Sequence, residues 1–198
     1  MTKFRFKLSL LFMLLVGLSV LAAGWLSGNT YRQNHQDALR GHMIRELQVI
    51  EATTPWPSGL DLQAENAELH RRAVEFKRIA GMRVTYIEPD GTVAGDSDHV
   101  ESTMDNHLER EEVREALASG TGSSIRKSGT LGEKMMYVAM AVKQDGTLRG
   151  FIRLSMSLSE ISSGLSDMWT ALFYSLFLLF ALAAIISYRL ALSVTKPL

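Results

Sequence analysis

The sequence predicts an α+β domain, a five-stranded antiparallel sheet with flanking helices, held between two membrane-spanning helices. Three observations carry this. Two long apolar runs contain no charged residue, Leu8–Leu26 (19 residues) and Met168–Tyr188 (21 residues). Between them the recurrence of apolar residues changes from every three or four positions to every second position. All 21 acidic residues also fall between them, so the zero formal charge of the 198-residue chain conceals 16 Lys and Arg against 21 Asp and Glu, a net −5, across Ser27–Asp167.

At ~1.5 Å rise per residue each apolar run matches the hydrocarbon thickness of a bilayer. Lys3, Arg5 and Lys7 precede the first run, and Arg189 and Lys196 follow the second. Basic flanks stay on the cytoplasmic side, so both ends are expected there. The predicted layout is a cytoplasmic 1–7, a first span 8–26, an extracytoplasmic domain 27–167, a second span 168–188 and a cytoplasmic 189–198. A cleaved signal peptide is the competing reading of the first run, with Ala22-Ala23-Gly24 as its cleavage site, but the run exceeds the ~7 to 15 residues of a signal core. With no cysteine the chain has no disulfide framework and no thiol chemistry. No basic stripe suggests nucleic acid.

Within the outer segment, Leu39, Met43, Leu47 and Ile50 form one helical stripe that Pro55 and Pro57 end. Asp61 is placed to cap a second helix, in which Leu62, Leu69, Ala73, Phe76 and Ala80 recur until Gly81 stops it. Strands follow at Met82–Glu88 and Thr92–Asp96, joined by the turn residues Pro89, Asp90 and Gly91. Glu109, Glu111 and Glu112 crowd the start of a short helix whose apolar side is Val113 and Leu117 and whose stop is Gly120. Three strands, Gly122–Lys127, Lys134–Lys143 and Leu148–Met156, read as an antiparallel meander with turns at TLGE and QDGT. The fourth strand is apolar on both faces, which predicts a central place. In the fifth, Arg153 and Ser155 alternate with Ile152, Leu154 and Met156, which predicts one core face and one wet face.

This order resembles the extracytoplasmic Cache or PAS-like sensor domains of bacterial receptors. Gly95–Met140 is more specifically similar to the sensor region of phosphate-regulon-type membrane histidine kinases. The residues that carry the likeness are Asp96-Ser97, Asn106-His107, Arg110 with Glu112, Gly120 with Gly122, Arg126 with Ser128, and Tyr137-Val138-Ala139; Glu111 departs from it where proline is common. Thr195-Lys196-Pro197-Leu198 resembles the start of a HAMP linker. The resemblance implies a sensor histidine kinase of a two-component system, with ATP and Mg held only by a kinase region beyond Leu198 and a cytoplasmic response regulator as its partner. A chemoreceptor or a cyclic-nucleotide enzyme with the same linker is the alternative output. None of His35, His42, His70, His99 or His107 has the context of a phosphoacceptor, and no phosphate-binding glycine loop is present, so the chain is expected to hold no catalytic residue and no cofactor.

Two clusters are candidates for binding. Arg126, Lys127, Lys134 and Arg153 come from strands that this fold makes neighbours, and could receive a carboxylate or phosphate; ordinary solvated charge is the alternative. With Ser128 of the Arg-x-Ser motif, and with Tyr137 and Met140 on the strand facing the pocket of such domains, Arg126 and Arg153 make the candidate ligand set. Asp96, Asp98, His99, Glu101, Asp105 and His107 contain metal-ligating groups without a fixed spacing; a solvated loop is the alternative and no metal is assigned. Leu158, Ile161, Leu165 and Met168 continue from the last strand at helical steps, interrupted by Gly164, so Leu158, Ile161, Gly164, Leu165 and Pro197 are the expected signal relay. The 39–50 stripe predicts a parallel homodimer. The remaining expected partners are the lipid bilayer and a small-molecule ligand.

Overall fold

A computed structural model describes residues 2–57, 61–100, 104–128 and 132–194. Two compact units divide the chain: Gln36–Ser159, and Met1–His35 with Glu160–Leu198. Helix α1 (Thr2–Thr53) stops two residues before Pro55. Helix α2 (Leu62–Ala80) starts where the Asp61 carboxylate accepts the Ala64 N–H at 2.8 Å, and ends at Gly81, which takes a left-handed φ of 70°. Strands β1 (Arg83–Ile87) and β2 (Val93–Asp96) form a hairpin, helix α3 (Glu111–Ser119) follows, and β3 (Thr121–Lys127), β4 (Lys134–Gln144) and β5 (Thr147–Ser157) complete the sheet. Helix α4 runs from Ser159 to Val194.

Two of the hairpin turns follow from their residues, and in the third, between β3 and β4, Thr130 and Leu131 of TLGE lie outside the described residues. Pro89 and Asp90 occupy the middle of a turn closed by Gly91 N–H to Glu88 O at 2.9 Å, and the Asp90 carboxylate accepts the Thr92 N–H at 2.9 Å. Asp145 and Gly146, with φ of 53° and 78°, form a two-residue turn whose twist matches the strands, and Gln144 pairs with Thr147 across it.

The five strands are antiparallel in the order β2-β1-β5-β4-β3. This corrects one expectation: β4 is an interior strand, but the middle place belongs to β5, between β1 and β4. One face of the sheet carries Val84, Tyr86, Val138, Met140, Ile152 and Leu154, all buried. Helix α2 packs on that face so closely that a Cβ on Gly95 would stand 2.6 Å from the His70 nitrogen. Trp56 meets the Tyr86 ring edge-on at 5.7 Å. The opposite face holds a cluster of Ile87, Val113, Ala116, Ala139 and Phe151 beneath α3.

Met43, Leu47 and Ile50 are buried within their own domain, at 0%, 0% and 2% exposure. Those three residues of the stripe are spent on the domain's interior, while Leu39 is half-buried. In the other unit the apolar side chains point outward, with Leu18 69% and Phe177 73% exposed. Two helices of the chain are long and apolar enough to cross a membrane, over Leu14–Thr53 and Trp169–Ile186. Leu158, 6% exposed, is the single residue between β5 and α4, and Ile161, Gly164 and Leu165 fall within α4. Pro197 and the rest of the linker motif lie outside the described residues, as does Glu101.

Candidate functional site

The α3 face of the sheet is not wet. Arg153 and Ser155, expected to meet solvent, are 2% and 3% exposed, and Arg153 meets Glu112 of α3. The buried side of α3 also differs from the expected one. Glu112, Val113 and Ala116 are fully buried, whereas Leu117 is 51% exposed. Gly122 explains the rotation: a Cβ there would lie 2.1 Å from Glu112 O and 2.7 Å from Ala116 N, so only a glycine lets α3 rest on β3 along this side.

That contact carries the Glu112 side chain into the interior. Its Oε2 accepts the Ser124 hydroxyl at 2.6 Å, and its Oε1 accepts Nη2 of Arg126 at 3.3 Å and Nη1 of Arg153 at 3.4 Å. Burial pushes the Glu112 pKa up, but the Ser124 hydroxyl, its own backbone N–H, Arg153 and Arg126 outweigh burial and hold it below the usual range. Burial lowers the Arg153 pKa to about 10, against the pull of Glu112, so the guanidinium stays charged at neutral pH.

From Arg153 the network runs into the hairpin. Its Nη2 donates to Thr85 Oγ1 at 3.2 Å, and that hydroxyl donates to Asp96 Oδ2 at 2.7 Å. Asp96, with no exposed surface, also receives Arg83 through three contacts of 3.0 to 3.1 Å and the backbone N–H groups of Asp98 and His99. Burial opposes ionisation here too, yet Arg83, Thr85 and the Asp98 N–H bring the net shift below the usual value. An alternating chain of Glu112, Arg153, Thr85, Asp96 and Arg83 thus ties α3 to β5, β1 and β2.

In front of this network opens a cavity of about 500 Å³, a volume suited to a small ligand. Arg126, Ser128, Tyr137 and Arg153 line it, which brings together four of the five residues singled out as a ligand set. Met140 is absent because it is out of phase with Tyr137: it pairs with Ile152 on the opposite face and is core. Lys127 lines the cavity and Lys134 does not. Tyr137 offers its ring to two cations, with the guanidinium carbon of Arg126 3.9 Å and that of Arg153 5.3 Å from its centroid.

Arg83, Arg110 and His107 are lining residues that the ligand set did not include. No described carboxylate pairs with Arg110 or Lys127. His107 is 4% exposed, its Nδ1 has no partner among the described residues, and burial, with the Arg153 charge second, lowers its pKa to about 4. It is a neutral imidazole. Nε of Arg126 and Nε of Arg153 are likewise buried without a partner. A sequence signal for Glu112 existed, since Glu112 precedes Val113 and lies one helical turn before Ala116, but three glutamates in one first turn read as a solvated, dipole-favoured cluster.

Of the metal candidates, Asp96 and Asp98 are engaged elsewhere. Asp96 is enclosed by Arg83 and Thr85, Asp98 pairs with Lys77 of α2, and His99 Nδ1 stands 3.9 Å from Asp96 Oδ1. Among the described residues no group of three or more such side chains is arranged to hold a metal ion.

Residues 33–157, more than half of the chain, match the Single Cache-like family, and the chain belongs to that family. Its fold is similar to that of the sensor domain of the V. cholerae histidine kinase DctB, with a TM-score of 0.52 at 17% identity over 72% of this chain and 57% of that one. It is similar also to the ligand-binding domain of the Pseudomonas aeruginosa PAO1 amino acid chemoreceptor PctC in complex with GABA, with a TM-score of 0.53 at 19% identity over 69% and 60%. The E. coli DcuS sensor domain gives 0.51 at 13% identity over 66% and 97%. The chain spans less than two thirds of the DctB and PctC structures it matches. At these identities the likeness is one of fold, and it extends to sensor domains of both histidine kinases and chemoreceptors. A comparison with the curated proteins finds no significant match.

Proposed function

We propose that this chain is the sensing and membrane-crossing part of a bacterial receptor whose extracytoplasmic domain binds a small anion. One observation carries the ligand class: two buried guanidinium nitrogens without partners among the described residues, Nε of Arg126 and Nε of Arg153, belong to residues that line one cation-rich cavity. Unmet buried donors are costly, and an anionic oxygen satisfies them. Among the described residues five cations, Arg83, Arg110, Arg126, Lys127 and Arg153, line the cavity against one carboxylate, Asp105, so the lining favours a net negative ligand.

In this reading residues 8–26 and 168–188 cross the cell membrane, both ends are cytoplasmic, and 189–198 begins a HAMP linker. The motif likeness from Gly95 to Met140 favours a histidine kinase of the phosphate-regulon type as the parent protein, working as a homodimer through a surface other than the buried part of the 39–50 stripe. The fold likeness to chemoreceptor domains supports a chemoreceptor as the second reading.

Two measurements test this. A reporter active only outside the cytoplasm should work when fused after Asp90 and fail after Leu198; the reverse pattern removes the topology. The full chain in lipid nanodiscs should be stabilised by inorganic phosphate or succinate and not by ethanolamine, by ~2.7 kcal/mol at 100 times the dissociation constant. Arg126→Ala, at a site whose side chain is 31% exposed, should leave the domain folded and weaken that response at least ~10-fold, the loss expected for one charged hydrogen bond. An unchanged response moves the anion away from this cavity.

A further inference from the structure

We propose that the Glu112 carboxylate is a built-in competitor of the ligand, an internal anion that shares Arg126 and Arg153 with whatever anion the cavity receives. The inference rests on the anion-binding reading of the cavity given above. Arg126 and Arg153 line the cavity, while Glu112 is not a lining residue and lies behind them. The two guanidiniums therefore face an internal carboxylate on one side and the cavity on the other.

Geometry separates this arrangement from the neighbouring ion pair. Arg83 grips Asp96 through both Nε and Nη2, with three contacts at 3.0 to 3.1 Å. Arg126 and Arg153 each offer Glu112 a single nitrogen, at 3.3 and 3.4 Å, and both converge on the same oxygen. Those distances exceed the 3.0 to 3.1 Å of the Arg83 pair, which lies nearer the ~2.7 to 2.9 Å of a well-formed charged hydrogen bond. Glu112 is anchored instead through its other oxygen by Ser124 at 2.6 Å. The Arg83 pair is closed, whereas the Glu112 pairs are loose, and each of their arginines keeps a buried Nε in hand.

An incoming anion at these arginines meets the Glu112 charge across a poorly solvated gap. Like charges that share one set of cations oppose each other. The opposition is reciprocal, so the ligand loosens the hold of Arg126 and Arg153 on Glu112 by as much as Glu112 weakens the ligand. Glu112 stands in the first turn of α3 and is that helix's link to Arg153 of β5. Occupancy of the cavity is thereby coupled to the seating of α3, with Ser124 as the remaining tether.

The test compares the wild-type full chain with Glu112→Gln in nanodiscs, titrated with inorganic phosphate and with succinate by calorimetry and thermal unfolding. The variant keeps the side-chain shape and removes the competing charge, so it should be less stable alone yet bind at least ~10-fold tighter, with a larger stabilisation by the anion. Wild-type binding with equal or weaker binding by the variant overturns the competition and leaves the anion site standing. A chain in which neither form responds to either anion overturns the anion site itself. Where Glu112→Gln is too unstable to isolate, phosphate or succinate in the preparation should recover folded protein and chloride should not; failure of that rescue also overturns the proposal.

Discussion

Replacing Arg153 with methionine is expected to destabilise the Cache-like domain by roughly 3–5 kcal/mol, the cost of breaking a buried ion pair from one side. The side chain is 3% exposed and faces a Glu112 carboxylate with no exposed surface. The substitution strips that carboxylate of its buried cation, and it also takes a donor from Thr85. Arg126 does not compensate, because at 31% exposure it is partly in solvent. Urea unfolding of wild type and variant measures the loss. A second variant that adds Glu112→Leu should recover much of the stability, since removing both charges avoids the unpaired one. A loss below about 1 kcal/mol for Arg153→Met would mean that the pair is solvated, and with it the network from α3 to β2.

Acidification from pH 7.5 to 4.5 should remove a comparable amount of stability, with His107 responsible for the first part of the fall. Its pKa is lowered from an ordinary 6.5 to about 4, first by burial and then by the Arg153 charge. A group with a lowered folded-state pKa contributes stability that is complete above 6.5 and disappears as the pH drops toward 4. At 1.36 kcal/mol per pH unit this amounts to about 3 kcal/mol. Glu112 and Asp96, also lowered, extend the loss to more acid conditions as each takes up a proton at its folded-state value. Denaturation at a series of pH values should show the decline, and His107→Gln should flatten it between pH 6.5 and 4. The same slope in that variant would assign the titration to another group.

The elements were legible because their signals are local. Asp61 and Gly81 bracket α2, Pro89-Asp90-Gly91 and Asp145-Gly146 form two of the turns, and each strand lies within two residues of its expected place. The Single Cache-like fold was also within reach of the element order and the motifs. What periodicity could not give is which face of an element is covered, and by what. Arg153 and Ser155 alternate as a wet face would, yet both are buried. Met140 and Tyr137 sit three residues apart on one strand, so the pleat sends them to opposite faces. Glu112 becomes buried only because Gly122, ten residues later, admits the backbone of α3. The 39–50 stripe was visible, but a stripe does not declare whether its cover is the same chain or another.

The strand order sets a schedule for synthesis. The middle strand, β5, is the last one made, and it joins the β1–β2 hairpin to the β3–β4 pair. The contact between Arg153 and Thr85 spans 68 positions, so the sheet closes through one of its most distant pairings. Until residue 157 has left the ribosome there are two separate pieces, the β1–β2 hairpin with α2 and the β3–β4 pair with α3, each with an unpaired edge. Closure of so long a loop is slow, and α4 is the next segment to emerge, one residue behind the strand. The Cache-like domain therefore completes its core only as the second apolar helix is being delivered, which leaves the half-made sheet exposed to proteases and to pairing with other chains throughout the preceding part of translation.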